Sequence, residues 1–194
     1  MPIIGIMASQ ISGHLCAPSG AYDSIATATV GSGGSASVTF SSIPSTYTHL
    51  QIRAIFRNTA NIGGDAPSFR INSDTGLNYV EHYLNGSGSS PATAGYAAAA
   101  NKAYFAINTA DASMTTGVYS AMVMDILDYA NIYKNKTIRT LVGTDNNGSG
   151  NVTLSSNLWM STTAIDTFTI YPYNLGSNNW LQYTQFALYG IKGA

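Results

Sequence analysis

Tyr47-Thr-His-Leu-Gln-Ile-Arg-Ala-Ile-Phe-Arg57 is the stretch that decides the fold class. In an extended chain Leu50, Ile52, Ala54 and Phe56 point one way, while His49, Gln51, Arg53 and Arg57 point the other. Alternation with period two marks a half-buried strand, apolar on its core side and polar on its water side. The pattern recurs outward in both directions. Ala36, Val38 and Phe40 alternate with Ser37, Thr39 and Ser41. Val152, Leu154 and Leu158 alternate with Thr153, Ser155 and Asn157, and Phe168 and Ile170 with Thr167, Thr169 and Tyr171. Further strands are expected near Ser24–Val30, Ser68–Asn72, Tyr79–Leu84, Lys102–Ile107, Val118–Leu127, Thr137–Val142 and Leu181–Ile191. Val118–Leu127 is apolar on both faces, as a central strand covered by packing would be.

Turn chemistry separates these runs. Gly31-Ser-Gly-Gly-Ser35 reads as a flexible hairpin loop, and Pro44 ends a strand because it has no N–H to donate. Gly63-Gly64-Asp65 and Asp145-Asn-Asn-Gly-Ser-Gly-Asn151 read as hairpin-type connections. Gly86 to Gly95 reads as a longer loop leading into Ala97–Ala100, where a single helical turn fits. No stretch keeps helical periodicity over three turns. Many short strands with regular turn signals predict an all-β fold, a single jelly-roll-like antiparallel β-sandwich. The same pattern leaves an immunoglobulin-like sandwich open. With no internal repeat and no linker, the expected organisation is an N-terminal docking segment over 1–20 and one sandwich domain over 21–194.

Composition narrows the partners. Of 194 residues only 9% are charged while 45% are hydrophobic, against roughly 25% charged in an ordinary domain. Ser, Thr, Asn and Gly must therefore wet the surface. Desolvating a hydroxyl or amide that finds a new partner costs far less than desolvating a charge, so such a surface suits packing against neighbours. Eight basic and nine acidic residues leave a net charge of −1, with no field to gather phosphates, so no nucleic-acid partner is expected. The lone Cys16 forms no internal disulfide. The apolar run Ile3–Met7 lacks a basic leader and is too short for a signal-peptide core, and nothing approaches a membrane span. Residence without export or membrane insertion is the expectation.

Catalytic patterns are weak. His14, His49 and His82 are scattered, and no G-x-S-x-G elbow occurs. Glycoside hydrolysis needs two positioned carboxylates. Glu81 is the only glutamate, and Asp125 and Asp128 form the closest acidic pair. Asp125 shares a face with Tyr119, Ala121 and Val123, and a hydrogen-bonded structural role is its expected one. Cys16 near His14 lacks any group to lower its pKa. The Asp145–Asn151 run imitates the start of an EF-hand loop, but Ser156 stands where a bidentate Glu belongs. One Cys and three scattered His give no zinc spacing, and no phosphate loop or cofactor motif is present. No enzyme activity and no cofactor are expected.

Two features suit binding. Arg53, Arg57 and Arg70 meet on one surface if their two strands pair as a hairpin; ordinary solvated ion pairs are the plainer reading. Tyr129, Tyr133, Trp159, Tyr171, Tyr173, Trp180 and Tyr183 lie in or beside loops, where aromatic rings stack on sugars or anchor interfaces. Arg53, Arg57, Arg70, Tyr173 and Trp180 together form the candidate ligand surface.

Four segments carry a family likeness: Met1-Pro-Ile-Ile-Gly-Ile-Met-Ala-Ser-Gln10; Tyr22-Asp-Ser-Ile-Ala-Thr-Ala-Thr-Val-Gly-Ser-Gly-Gly-Ser35 followed by Phe40-Ser-Ser-Ile-Pro-Ser-Thr-Tyr-Thr-His-Leu-Gln-Ile-Arg53; Met124-Asp-Ile-Leu-Asp-Tyr-Ala-Asn131; and Gln185-Phe-Ala-Leu-Tyr-Gly-Ile-Lys192. Together they resemble a widespread group of tailed-phage and prophage proteins of the virion structural or tail-fibre-like kind. The resemblance spans the chain and implies membership in a phage virion made in the host cytoplasm. It implies no catalytic site. The expected function is a non-enzymatic virion subunit of the tail or fibre apparatus, or a capsid decoration (cement) protein. The alternative is a carbohydrate-binding module that recognises a host surface glycan. Other virion proteins and further copies of the chain are the expected partners. Pro2, Ile3, Ile4, Ile6 and Met7 form the candidate interface, because consecutive exposed apolar residues are a liability unless docked.

Overall fold

A computed structural model describes residues 20–63, 65–88, 93–175 and 177–193. Twelve strands follow in order: β1 (Tyr22–Thr29), β2 (Val38–Phe40), β3 (His49–Phe56), β4 (Ser68–Ile71), β5 (Tyr79–Gly86), β6 (Thr93–Ala100), β7 (Ala103–Tyr104), β8 (Ser120–Ile126), β9 (Lys136–Asp145), β10 (Gly150–Trp159), β11 (Phe168–Tyr171) and β12 (Gln185–Ile191). They form two sheets. The large sheet has eight strands in the order β1-β12-β3-β8-β9-β10-β5-β6, and the small sheet has four in the order β2-β11-β4-β7. Every pairing is antiparallel.

One apolar cluster joins the sheets. Leu50, Ile52 and Phe56 of β3, Met122, Met124 and Ile126 of β8, and Phe186 and Leu188 of β12 face Val38 and Phe40 of β2, Phe69 and Ile71 of β4, and Phe168 and Ile170 of β11. Phe56 sits among aromatic rings, stacked on Phe186 at 5.9 Å and edge-on to Phe105 at 5.8 Å and Trp180 at 5.5 Å. Two sheets closing on one such layer make an antiparallel β-sandwich. The all-β sandwich read from the sequence is therefore the fold, and its strand order is compatible with a jelly roll.

Three connections depart from the sequence reading. Gly31–Ser35 is no hairpin loop: β1 lies in the large sheet and β2 in the small one, so the loop crosses between layers. The segment around Gly63 and Asp65 likewise crosses, from β3 in the large sheet to β4 in the small. Ala97–Ala100 is not a helical turn but the end of β6, an edge strand paired to β5. The Asp145–Asn151 segment does form a hairpin turn. Asn146 N donates to Ser149 O at 2.6 Å, and Asn147 and Gly148 take φ of 50° and 95°. Positive φ at both central residues is what a tight hairpin matched to strand twist requires, and Asn-Gly tolerates it best. The candidate docking residues Pro2, Ile3, Ile4, Ile6 and Met7, and also His14 and Cys16, lie outside the described residues.

Candidate interaction surface

The basic trio does not assemble. β3 is bordered by β12 and β8, while β4 is bordered by β11 and β7, so the assumed hairpin does not exist. Arg53 alone faces outward from the large sheet. Its Nε donates to Gln51 Oε1 at 2.8 Å, and its guanidinium lies 5.6 Å from the Tyr22 ring and 5.8 Å from the Tyr189 ring. Arg57, just past the end of β3, is only 7% exposed. Its Nη1 donates to the carbonyls of Thr115 (2.7 Å) and Val118 (3.2 Å), and its Nη2 to that of Met114 (2.8 Å). It is a staple for that loop, holding three of its carbonyls to the end of β3. Arg70, on the small sheet, donates from Nε to Asn101 O at 3.0 Å and lies 5.9 Å from the Tyr171 ring. Trp180 is fully buried in the core, with Nε1 donating to Ile170 O at 3.4 Å. Tyr173 is half-buried, and its carbonyl accepts from Asn178 Nδ2 at 3.0 Å. The structure thus brings none of these five residues together as a ligand surface.

The carboxylates are already engaged. Asp125 accepts a hydrogen bond from Gln51 Nε2 at 2.8 Å. Asp128 pairs with Lys134 at 2.7 Å, whose hydrogen bond and charge hold its carboxyl below the usual range, and its backbone N donates to His49 Nδ1 at 3.0 Å. Glu81 accepts from Tyr104 N at 2.6 Å, and burial pushes its pKa up to about 7. Asp65 accepts from Asn58 Nδ2 and from Thr109 Oγ1 in a buried knot, and burial raises its pKa to about 6.

The informative feature is the direction in which β10 faces. Its polar residues point into the sandwich: Thr153, Ser155 and Asn157 are 0%, 2% and 1% exposed. Its apolar residues point out: Val152 and Leu154 are 55% and 51% exposed. This reverses the ordinary reading of the alternation, and the cause is what lies on top. The chain after β7 crosses this part of the sheet as irregular backbone without a ladder, and the sheet supplies side-chain partners instead. Ser155 Oγ donates to Phe105 O (2.8 Å), Asn151 Nδ2 to Ile107 O (3.0 Å), and Ala110 N donates to Ser120 Oγ (2.7 Å). Buried backbone groups must be satisfied, which accounts for the inward Thr153 and Ser155; Asn157, whose side-chain nitrogen and oxygen have no partner among the described residues, is not explained by it.

Nothing in that requirement makes the outward positions apolar, yet they are. Reading straight across the large sheet, neighbouring strands place Ala187, Arg53, Val123, Leu141, Leu154 and Leu84 in one register row. The adjacent row on one side holds Ile55, Ala121, Gly143 and Val152, and on the other Gln51, Asp125, Arg139 and Ser156. Val123 is 39% exposed, Leu84 50%, Leu141 52% and Ile55 49%. Part of these rows (Ile55, Ala121, Val123, Leu141 and Val152) lines a shallow apolar trough of about 560 Å³ over β12, β3, β8, β9 and β10. Contiguous exposed apolar patches on a protein surface mark interaction sites. The two-faced apolar character of Val118–Leu127 was the sequence signal for this surface. Within the described chain β8 is central, but its outer face is bare. The chain matches no family model, no curated protein and no solved structure.

Proposed function

We propose that this chain is a non-enzymatic structural subunit of a tailed-phage particle, in the tail or fibre apparatus or as a capsid decoration protein, held in its assembly by the outer face of the large sheet. The observation that carries this reading is the outward apolar row Val123–Leu141–Leu154–Leu84, on a chain with only 9% charged residues. A sheet face of this kind lowers its free energy by covering itself, at roughly 25 cal/mol per Å² of apolar area removed from water. The engagement of Asp125 by Gln51 and of Asp128 by Lys134 favours structural roles for the acidic pair. Mass spectrometry and immunogold labelling of particles purified from the encoding phage or prophage test the proposal. Label on head or tail supports it and assigns the position. Absence of the chain from purified particles overturns it. A glycan array separates a bare subunit, which shows no sugar preference, from a host-recognition module. That second reading is weakened by the burial of Trp180.

A further inference from the structure

Resting on the reading of the outer face as an assembly surface, we infer its partner: the same face of a second copy of this chain, packed about a two-fold axis that runs parallel to the strands along the β8–β9 seam. That seam is the midline of the large sheet, with four strands on either side. A two-fold axis lying in the interface and parallel to the strands reverses the strand order of the second copy but keeps each position at its height along the strand. The apolar row then meets itself. Val123 lies over Leu141 of the second copy, and Leu141 over Val123 of the second copy, because these two are register partners across the seam.

Charge follows the same symmetry. Asp125 and Arg139 are also register partners across the seam, so the axis sets each against the other's counterpart and makes two interchain ion pairs. Among the described residues Arg139 takes part in none of the ion pairs, which join Asp128 with His49, Asp128 with Lys134, and Asp23 with Lys192. An axis perpendicular to the strands would instead lay the row of Asp125 and Arg139 on the row of Ile55 and Val152, leaving charges desolvated without partners. The remaining cation, Arg53, leans toward Tyr22 and Tyr189 on the β1 side, away from the seam. A face carrying both signs in mirror register fits a copy of itself better than a partner of one charge.

The dimer takes nearly the whole face. Eight strands about 4.8 Å apart span roughly 34 Å, and central strands of this length rise roughly 25 Å, giving on the order of 800 Å². A standard stable interface takes about that area from each partner.

The test is sedimentation equilibrium of the full chain from about 1 to about 100 µM. The wild type is expected as a dimer. Leu141→Asp should weaken it at least ~100-fold, with an unchanged circular dichroism spectrum and melting cooperativity showing that the fold survives. Asp125→Arg and Arg139→Asp should each weaken it about 10-fold, and the double variant should return to within about 3-fold of wild type. A monomer at every concentration overturns the inference, as does a dimer indifferent to Leu141→Asp. A dimer lost on deleting residues 1–19 also overturns it, assigning the contact to the N-terminal segment. If the wild type is monomeric but Leu141→Asp fails to enter particles, the face docks on another virion protein; this inference falls and the proposed function stands. If the dimer forms as described but the chain is absent from particles, the proposed function falls and the dimer stands.

Discussion

In the half of the large sheet built from β12, β3 and β8, the buried inward side chains are apolar apart from Ser120 at the end of β8: Leu50, Ile52, Phe56, Met122, Met124, Phe186 and Leu188. In the half built from β9, β10 and β5, the inward positions include Thr140, Thr144, Thr153, Ser155, Asn157, Glu81 and Asn85, all buried. The difference follows from the cover. The first half lies under ladders whose backbone groups are satisfied within the small sheet, so only apolar contact is needed. The second lies under the irregular chain around Phe105–Asp111, whose carbonyls at Phe105 and Ile107 accept from Ser155, Asn151 and Thr153 below them. The lesson is that burial and apolarity are separable. Here Leu154 is exposed while the hydroxyl of Ser155 is buried.

The widest gap between the halves should appear when the same residue type is truncated in each. Leu50→Ala, at a fully buried site in β3, is expected to cost about 3 kcal/mol or more, from lost transfer energy and the cavity left behind. Leu154→Ala, at 51% exposure in β10, should cost less than about 0.5 kcal/mol in a monomer. Urea unfolding of both variants measures the pair. Equal losses would mean that β10 turns its apolar face inward after all.

Next in size is a pH effect from two buried carboxyls. Burial raises the pKa of Glu81 from 4.5 to about 7. The unfolded chain therefore releases this proton first, and between those two values the folded state holds more protons. Stability contributed by Glu81 falls as pH rises through that window. Asp65, raised from 3.8 to about 6, acts with the same sign in the interval below. The wild type should be more stable at pH 5 than at pH 8. Glu81→Gln, which keeps an oxygen to accept from Tyr104 N, should remove on the order of 2 kcal/mol of that difference. Denaturant midpoints across the range check it, and a slope unchanged by Glu81→Gln would refute the assignment.

A third contrast separates two arginines that lie close in sequence. Arg57→Ala leaves the carbonyls of Met114, Thr115 and Val118 without their buried donors and should cost about 2 kcal/mol. Arg53→Ala removes a solvent-facing guanidinium and should cost less than about 1 kcal/mol. Thermal melts of the two variants give the comparison directly.

Much of the element order was legible because period-two patterning and turn residues are local. Leu50, Ile52 and Phe56 turn inward just as their alternation requires, and Asn147-Gly148 closes the hairpin its chemistry demands. β6 escaped notice because Ala97–Ala100 has no large side chain to show which face is which. Layer changes at Gly31–Ser35 and near Gly63 were hidden because a crossing loop and a hairpin loop use the same residues. Arg57 was placed on the polar face of its strand, but the strand stops at Phe56 and the backbone then turns it inward. The orientation of β10 was beyond local reading altogether. Alternation gives the period of a strand but not its sign, and the sign here is set by a segment some fifty residues upstream, with Ser155 bonded to Phe105 across a separation of 50. The candidate surface was missed for the same reason, except for the hint in Val118–Leu127.

The smallest effect is the most direct test of that sign. In an ordinary strand core, replacing a buried Thr by the isosteric Val trades a hydroxyl for a methyl and tends to stabilise. Thr153 is fully buried, but its Oγ1 donates to Asn85 Oδ1 at 2.9 Å and accepts from Asn151 Nδ2 at 3.0 Å. Its hydroxyl also lies 3.3 Å from Ile107 O. Thr153→Val therefore leaves the Asn85 oxygen and the Asn151 amide each short of one partner. The expected loss is about 1 kcal/mol, since stranding a buried polar group outweighs the gain from the added methyl. Asn85→Leu in the same background removes the stranded oxygen and should recover part of the loss, a coupling that a double-mutant cycle reads. If Thr153→Val alone stabilises the protein, the inner face of β10 behaves as plain core. Its polarity then does not serve the covering segment.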